Sequence, residues 1–214
     1  MMKSTTRSNS IIRSQTLSFV VGALLLQSCS PLQPLKSSSV NTYTLDAQFP
    51  AANNATGELT LLINTPSASS GFDTPRMIYL KKAYILDYYA QNQWVDPPAR
   101  MLAPLLVAAL ESSAKFRAVH STRSAAKSDL RLDTEIIRLQ HEFLTQPSQI
   151  HLTLRIQLLD LRNKIVLATR EFDLIEPATS EDPYGGVLAT NRAVKNMLLQ
   201  IADFSAQASQ TANK

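Results

Sequence analysis

From Ile150 to Leu158 apolar and polar side chains alternate without a break. Ile150, Leu152, Leu154, Ile156 and Leu158 fall on one side, and His151, Thr153, Arg155 and Gln157 on the other. A period of two is the signature of a strand with one face in a core and the other in water. Similar β-prone runs flank it, Leu130 to Phe143 before and Ile165 to Ile175 after, the latter joined by a polar turn around Arg162-Asn163. Together the three predict an antiparallel meander covered on one face.

The cover has to come from elsewhere in the chain. Met101, Leu102, Leu105, Leu106, Ala109 and Leu110 recur at helical spacing after Asp96-Pro97, where Asp suits an N-cap and Pro the first turn. Pro104 lies inside this run and either bends the helix or delays its start. A second helix opens at Asp182-Pro183, with a stripe of Val187, Asn191, Val194, Leu198 and Ile201 widened by Met197 and Phe204. Gly185 and Gly186 weaken its first turn. Shorter strands are expected at Tyr43–Leu45, Glu58–Asn64 and Phe116–Val119, with a loop from Thr65 to Pro75. Arg76–Leu80 and Ala83–Ala90 predict a hairpin turning around Lys81-Lys82 and closed by Gln91 to Asp96. The fold class is thus α/β (α+β): a two-layer sandwich with a mostly antiparallel sheet of about five or more strands and two main helices.

The amino terminus carries a different message. Lys3, Arg7 and Arg13 precede an apolar run from Leu17 to Leu26, with no acidic residue before Cys29. This is the layout of an export signal. Ten helical residues rise about 15 Å, roughly half a bilayer core, so the run is too short to stay as a membrane span. Leu26-Gln27-Ser28-Cys29 matches a lipobox: a large aliphatic residue, then a small residue, then a thiol. Cleavage is expected between Ser28 and Cys29, with Cys29 carrying an S-diacylglycerol thioether and an N-acyl chain; no other cofactor is expected. Gln27 departs from the commoner small or aliphatic residue. Cys29 is the only cysteine in the chain, which excludes an internal disulfide. Ser30, in place of an aspartate, favours the outer membrane over retention in the inner one.

Residues 1–28 would be the signal peptide, 29–42 a Ser/Pro-rich lipidated tether, 43–206 a single domain and 207–214 a polar tail. The signal holds three of the 21 basic residues and none of the 17 acidic ones, so the net charge of +4 falls to +1 on processing. The basic balance therefore says nothing of nucleic acid, and none is expected as a partner.

Signatures of chemistry are scarce. Of the five glycines only Gly57, Gly71, Gly185 and Gly186 follow the signal, and they form no phosphate-binding loop. No nucleophile elbow, paired cysteines or His-Glu-x-x-His helix is present. If Gln146-Pro147 centres a hairpin, His141 and His151 would face each other across two strands, a pair that zinc could use. A third ligand is missing, because Glu142 would point to the opposite face, so no metal site is assigned. No catalytic residue is assigned either. The remaining feature is aromatic: Tyr79, Tyr84, Tyr88, Tyr89 and Trp94 crowd together, combining apolar area with polar tips. Tyr88, Tyr89 and Trp94 are the candidate partner-binding residues, weighed equally against core packing; Tyr79 and Tyr84 are expected in the core.

The order of these features resembles the ABC-type transport auxiliary lipoprotein family. The shared pattern is Tyr43 and Leu45 soon after the lipid cysteine, Arg76-Met77-x-Tyr79, Tyr88-Tyr89 and Trp94, Pro98 opening the helix, and Phe116-Arg117-x-Val119 after it. The long meander and a last helix containing Asn191 and Ala193 complete it. The resemblance covers nearly all of the chain after the signal and implies a non-enzymatic protein lipid-anchored on the periplasmic face of the outer membrane. Its implied partner is an MCE-domain protein and, through it, an inner-membrane ABC transporter moving phospholipid or other hydrophobic molecules between membranes. The lipoprotein would dock the distal end of that assembly, and a homo-oligomeric ring around it is a further implication. The alternative is an envelope-integrity or outer-membrane assembly lipoprotein that binds other proteins without a lipid pathway; ABC and MCE genes alongside would separate the two.

Overall fold

A computed structural model describes residues 39–51, 55–122, 124 and 126–213. Ser28, Cys29, the signal and the first part of the tether lie outside the described residues.

The spine of the sheet is β7 (Leu130–Glu142). Along one edge it pairs over its whole length with β8 (Gln149–Asp160), which pairs in turn with β9 (Ile165–Pro177). Both pairings are antiparallel, so the expected meander is present. Along the other edge of β7 three short parallel partners follow one another: β2 (Thr60–Ile63), β3 (Ser67–Ala68) and β4 (Arg76–Lys82). Beyond them, β6 (Ala118–Ser121) adds to β2, β5 (Ile85–Trp94) runs antiparallel to β4, and β1 (Asn41–Tyr43) runs parallel to β5. The result is one nine-stranded mixed sheet whose long pairings are antiparallel.

Two helices, α1 (Pro98–Ser112) and α2 (Pro183–Ser209), cover one face and touch each other. The alternation in β8 explains why only one face is covered. Ile150, Leu152, Leu154, Ile156 and Leu158 are buried, together with Leu130, Leu132 and Ile136 of β7 and Val194, Leu198 and Ile201 of α2. Burying a side chain of this size is worth about 1.5–3 kcal/mol, so the hydrophobic stripe dictates which way the sheet faces. Arg155 and Gln157, on the opposite face, meet solvent in charged and polar pairs such as Arg155 with Glu135 and Glu171.

Several boundaries differ from those the sequence predicts. The hairpin turns at Ala83-Tyr84, beyond the lysines, with Tyr84 in the left-handed region at φ 68°. The first strand begins at Asn41, inside the expected tether. Two residues of the expected 65–75 loop pair with β7 as β3. Asp96 does not cap α1; the helix follows Pro97, and Asp96 pairs with Arg100 one turn on, at 3.2 Å. Helix α1 runs through Pro104, which lies on its exposed side, so water can reach the Arg100 carbonyl that a proline cannot bond. Asp182 does cap α2, accepting from the Gly185 amide at 2.7 Å. Finally, the expected polar tail is helical: α2 continues to Ser209 and a 3-10 turn follows over Gln210–Asn213. Ala208 and Ala212 pack on the core, and Arg162 donates to the Ala212 carbonyl at 2.9 Å. Polar composition concealed a small-residue helical face.

Candidate functional site

The candidate aromatics sit on β5 in three different environments. Trp94 is only 4% exposed, within the core, and its amide donates to the Pro75 carbonyl at 2.7 Å. It is a packing residue, which corrects its assignment to a partner surface. Its side chain is on the covered face of the sheet, beside Met77, Leu139 and Ile150 and near Thr190 of α2. Tyr88 is half-buried on the sheet, with the Arg76 guanidinium 3.6 Å above its ring. Tyr89 is also half-buried, but its hydroxyl turns inward to His141 Nδ1 at 3.0 Å. Tyr84, expected in the core, is fully exposed at the hairpin turn.

Tyr89 and His141 belong to a polar knot that joins three elements. His141, on β7, is buried, and its Nε2 lies 2.9 Å from Ser148 Oγ, just before β8. The Ser148 amide donates to Glu181 at 2.9 Å, immediately before the α2 cap. Gly186, in the first turn of α2, presses on the imidazole; a Cβ there would stand 2.5 Å from His141 Nδ1. The two glycines that weaken the helix on propensity grounds are therefore needed for close approach. Tyr79 packs on Tyr89 with ring centroids 4.6 Å apart, and the Phe143 ring centroid lies 4.3 Å from that of His141. Burial pushes the His141 pKa below the ordinary value against the opposing pull of Glu181 and Asp182. Burial likewise raises the Tyr89 phenol, helped by Tyr79 and Asp182. Both groups are therefore held neutral at pH 7. A serine, a histidine and a tyrosine in contact suggest acyl chemistry, but Ser148 is 0% exposed, so no substrate can reach it. The knot is a structural clasp between the β7–β8 turn, β5 and the start of α2.

The paired-histidine expectation fails on register. His141 stands opposite Ile150, while His151 stands opposite Gln140. The turn closes with Glu142 opposite Gln149, one residue off the register that would pair the histidines, and this puts the two on opposite faces. His151 meets Glu142 instead, with Nδ1 at 3.0 Å from Oε1, while its Nε2 lies 2.9 Å from Asp173. The two carboxylates thus engage opposite ring nitrogens and cannot close on a shared ion. Among the described residues no group of three or more His, Cys, Asp and Glu is placed to hold a metal. Hydrogen bonds decide the titration of both carboxyls. Burial pushes Glu142 up, but bonds from Gln140 and His151 outweigh it and hold it low; for Asp173 burial is likewise outweighed, by bonds from Thr153 and His151.

Space for a hydrophobic cargo is limited where the core could offer it. The gap between Met77, Trp94, Leu139, Ile150 and Thr190 is about 10 Å³, room for a water and not an acyl chain. A cleft of about 600 Å³ between α1 and β2 is lined by Ile63, Pro104 and Val107, but also by Asn64, Asp96 and Arg100. Among the described residues no helix is long and apolar enough to cross a membrane.

Comparison with known proteins agrees with the ordered pattern of the sequence. The family model described as the ABC-type transport auxiliary lipoprotein component matches residues 43–202. A crystal structure of a protein from Xanthomonas campestris is similar at 22% identity and a TM-score of 0.73, covering 81% of this chain and 99% of that one. An uncharacterised protein of known structure is similar at 15% identity and a TM-score of 0.61, covering 77% of this chain and 97% of the other. At these identities the likeness is one of fold. A search of curated proteins gives no match.

Proposed function

We infer, from the premise that this chain belongs to the ABC-type transport auxiliary lipoprotein component family, the job that it does in such a system. It is a non-catalytic auxiliary protein of ABC-type transport. We propose that it is lipid-anchored through Cys29 to the periplasmic face of the outer membrane. There it docks the distal end of an MCE-domain protein whose other end meets an inner-membrane ABC transporter, in a system that moves lipid between membranes. The observation that carries the reading is the family match over residues 43–202, almost the whole domain. The lipobox at Leu26–Cys29 supports the anchor. The filled core supports a docking role over carriage of lipid inside this domain.

The test is capture of the tagged, full-length protein from detergent extracts of crosslinked cells. An MCE-domain protein and the ABC transporter subunits are expected in the eluate. Recovery of outer-membrane assembly proteins in their place, with no MCE-domain protein under either crosslinked or native conditions, would overturn the proposal.

A further inference from the structure

The turn between β4 and β5 is an unusual surface. Tyr84 is 100% exposed, and Ile85 and Leu86 after it are 48% and 44% exposed. Lys81 and Lys82 precede the turn and are exposed too. Leu144 belongs to the same end of the sheet. It follows Phe143, whose amide donates to the Leu80 carbonyl at 2.8 Å, and it is 46% exposed. Four large apolar side chains and two lysines thus project from one end of the domain. The acidic groups toward that end include Asp87, beyond Leu86, Glu142, which pairs with Leu80, and Glu181 and Asp182 by the β7–β8 turn.

The direction of β1 says what lies opposite this end. β1 is parallel to β5, with Asn41 beside Asn92 and Tyr43 beside Trp94. The amino-terminal end of β1 therefore points along β5 toward Ile85 and the hairpin turn. The strand between Asn92 and Ile85 covers about 23 Å. About twelve residues separate Cys29 from Asn41, enough to span about 40 Å when extended. That length lets a lipid on Cys29 lie at the end from which the hairpin turn projects, with slack to spare.

We propose that the β4–β5 turn is a second membrane contact, in which Tyr84, Ile85 and Leu86 enter the headgroup boundary of the leaflet that holds the lipid anchor, with Lys81 and Lys82 at its anionic headgroups. This rests on the proposed acylation of Cys29. The chemistry fits each layer: tyrosine favours the interface, leucine and isoleucine its apolar side, and lysine stems reach back to phosphate. The patch is too small for a protein partner, because a stable interface buries about 800 Å² on each side and this is one convex turn. A bilayer needs no matching surface, and a chain already anchored in it needs only a weak second contact to be oriented. The consequence is a fixed attitude. The hairpin turn faces the membrane, and the opposite end of the sheet, with the Asp160–Asn163 turn and the end of α2, faces the periplasm.

The lone cysteine makes the test clean. In full-length, lipidated Tyr84→Cys the new thiol is the only free one, so an environment-sensitive fluorophore labels residue 84 alone; Lys127→Cys, before β7 at the far end, is the comparison. Both proteins are placed in phosphatidylethanolamine–phosphatidylglycerol vesicles containing nitroxide-labelled acyl chains. The probe at 84 is expected to be quenched about two-fold or more and the probe at 127 left unquenched. Adding Ile85→Ser and Leu86→Ser should remove the quenching, and neither exchange disturbs a buried residue. Equal, unquenched emission from both sites in vesicle-bound protein would overturn the proposal. So would emission at 84 that responds to protein density and not to the nitroxide, which would make the occupant a second copy of the chain. A second label on Cys29 would show that the anchor itself is wrong, and the shared leaflet would fall with it.

Discussion

Gly186 and His141 hold each other in place. A methyl group at 186 gains about 1 kcal/mol of helix propensity over glycine. It also stands 2.5 Å from Nδ1 and 3.0 Å from Cε1 of a ring that is 2% exposed and bonded at both nitrogens. Overpacking of that kind costs about 1–3 kcal/mol, and a shift of the ring would strain its bonds to Tyr89 and Ser148. Gly186→Ala should therefore lower the urea midpoint; an unchanged or higher midpoint would mean that the clasp yields. His141 adds a pH dependence. Its pKa is lowered by burial, so the unfolded chain binds the proton more readily. Its contribution is complete above the unfolded value of about 6.5 and is lost as pH falls from there toward the lower folded value. In His141→Gln, which keeps a polar group at the clasp, that part of the fall in stability below pH 6.5 should disappear. Urea melts at pH 7.5 and pH 5.5 on both proteins measure it, and equal slopes would show that His141 does not set the pH dependence.

At the level of elements, the clearest patterns were those carried by backbone geometry. The period of two in β8 located the core face, and Asp-Pro-x-Gly announced the start of α2 through a cap that the structure retains. Asp182→Ala should cost about 1 kcal/mol, read from thermal or urea unfolding. An effect near zero would show that packing alone holds the helix end. Asp96-Pro97 reads much like Asp182-Pro183, yet there the carboxylate turns to Arg100 and caps nothing. The second proline distinguishes the two: Pro98 holds Pro97 extended, at ψ 133°, so α1 starts one residue later and Asp96 is not its cap. What was illegible depends on neighbours far away in the chain. One residue of register at the β7–β8 turn, where Glu142 closes opposite Gln149, parts His141 from His151. Trp94 is inside because it faces the core shared with Leu139, Ile150 and Thr190, and Tyr84 is outside because the turn falls past the two lysines. The serine–histidine–tyrosine clasp draws on residues from 89 to 186, and only the glycine pair after Asp182 hinted at close approach.

At the scale of the whole molecule, the described residues form a one-sided sheet covered by two helices, with a core gap of only about 10 Å³ beside Trp94, and the family is an auxiliary of ABC-type transport. Under the proposed function, what such a protein contributes is attachment: a lipid at Cys29 fixes it to the outer membrane, the domain holds the distal end of an MCE-domain assembly, and the inner-membrane transporter drives the system. The measurement that reaches this most directly follows the partner. With wild-type protein, part of the MCE-domain protein should co-sediment with the outer-membrane fraction. With Cys29→Ser, which leaves the domain intact, the MCE-domain protein should leave that fraction while still being captured by the released domain. If it remains with the outer membrane in the variant, attachment does not run through this protein and the proposed function is wrong.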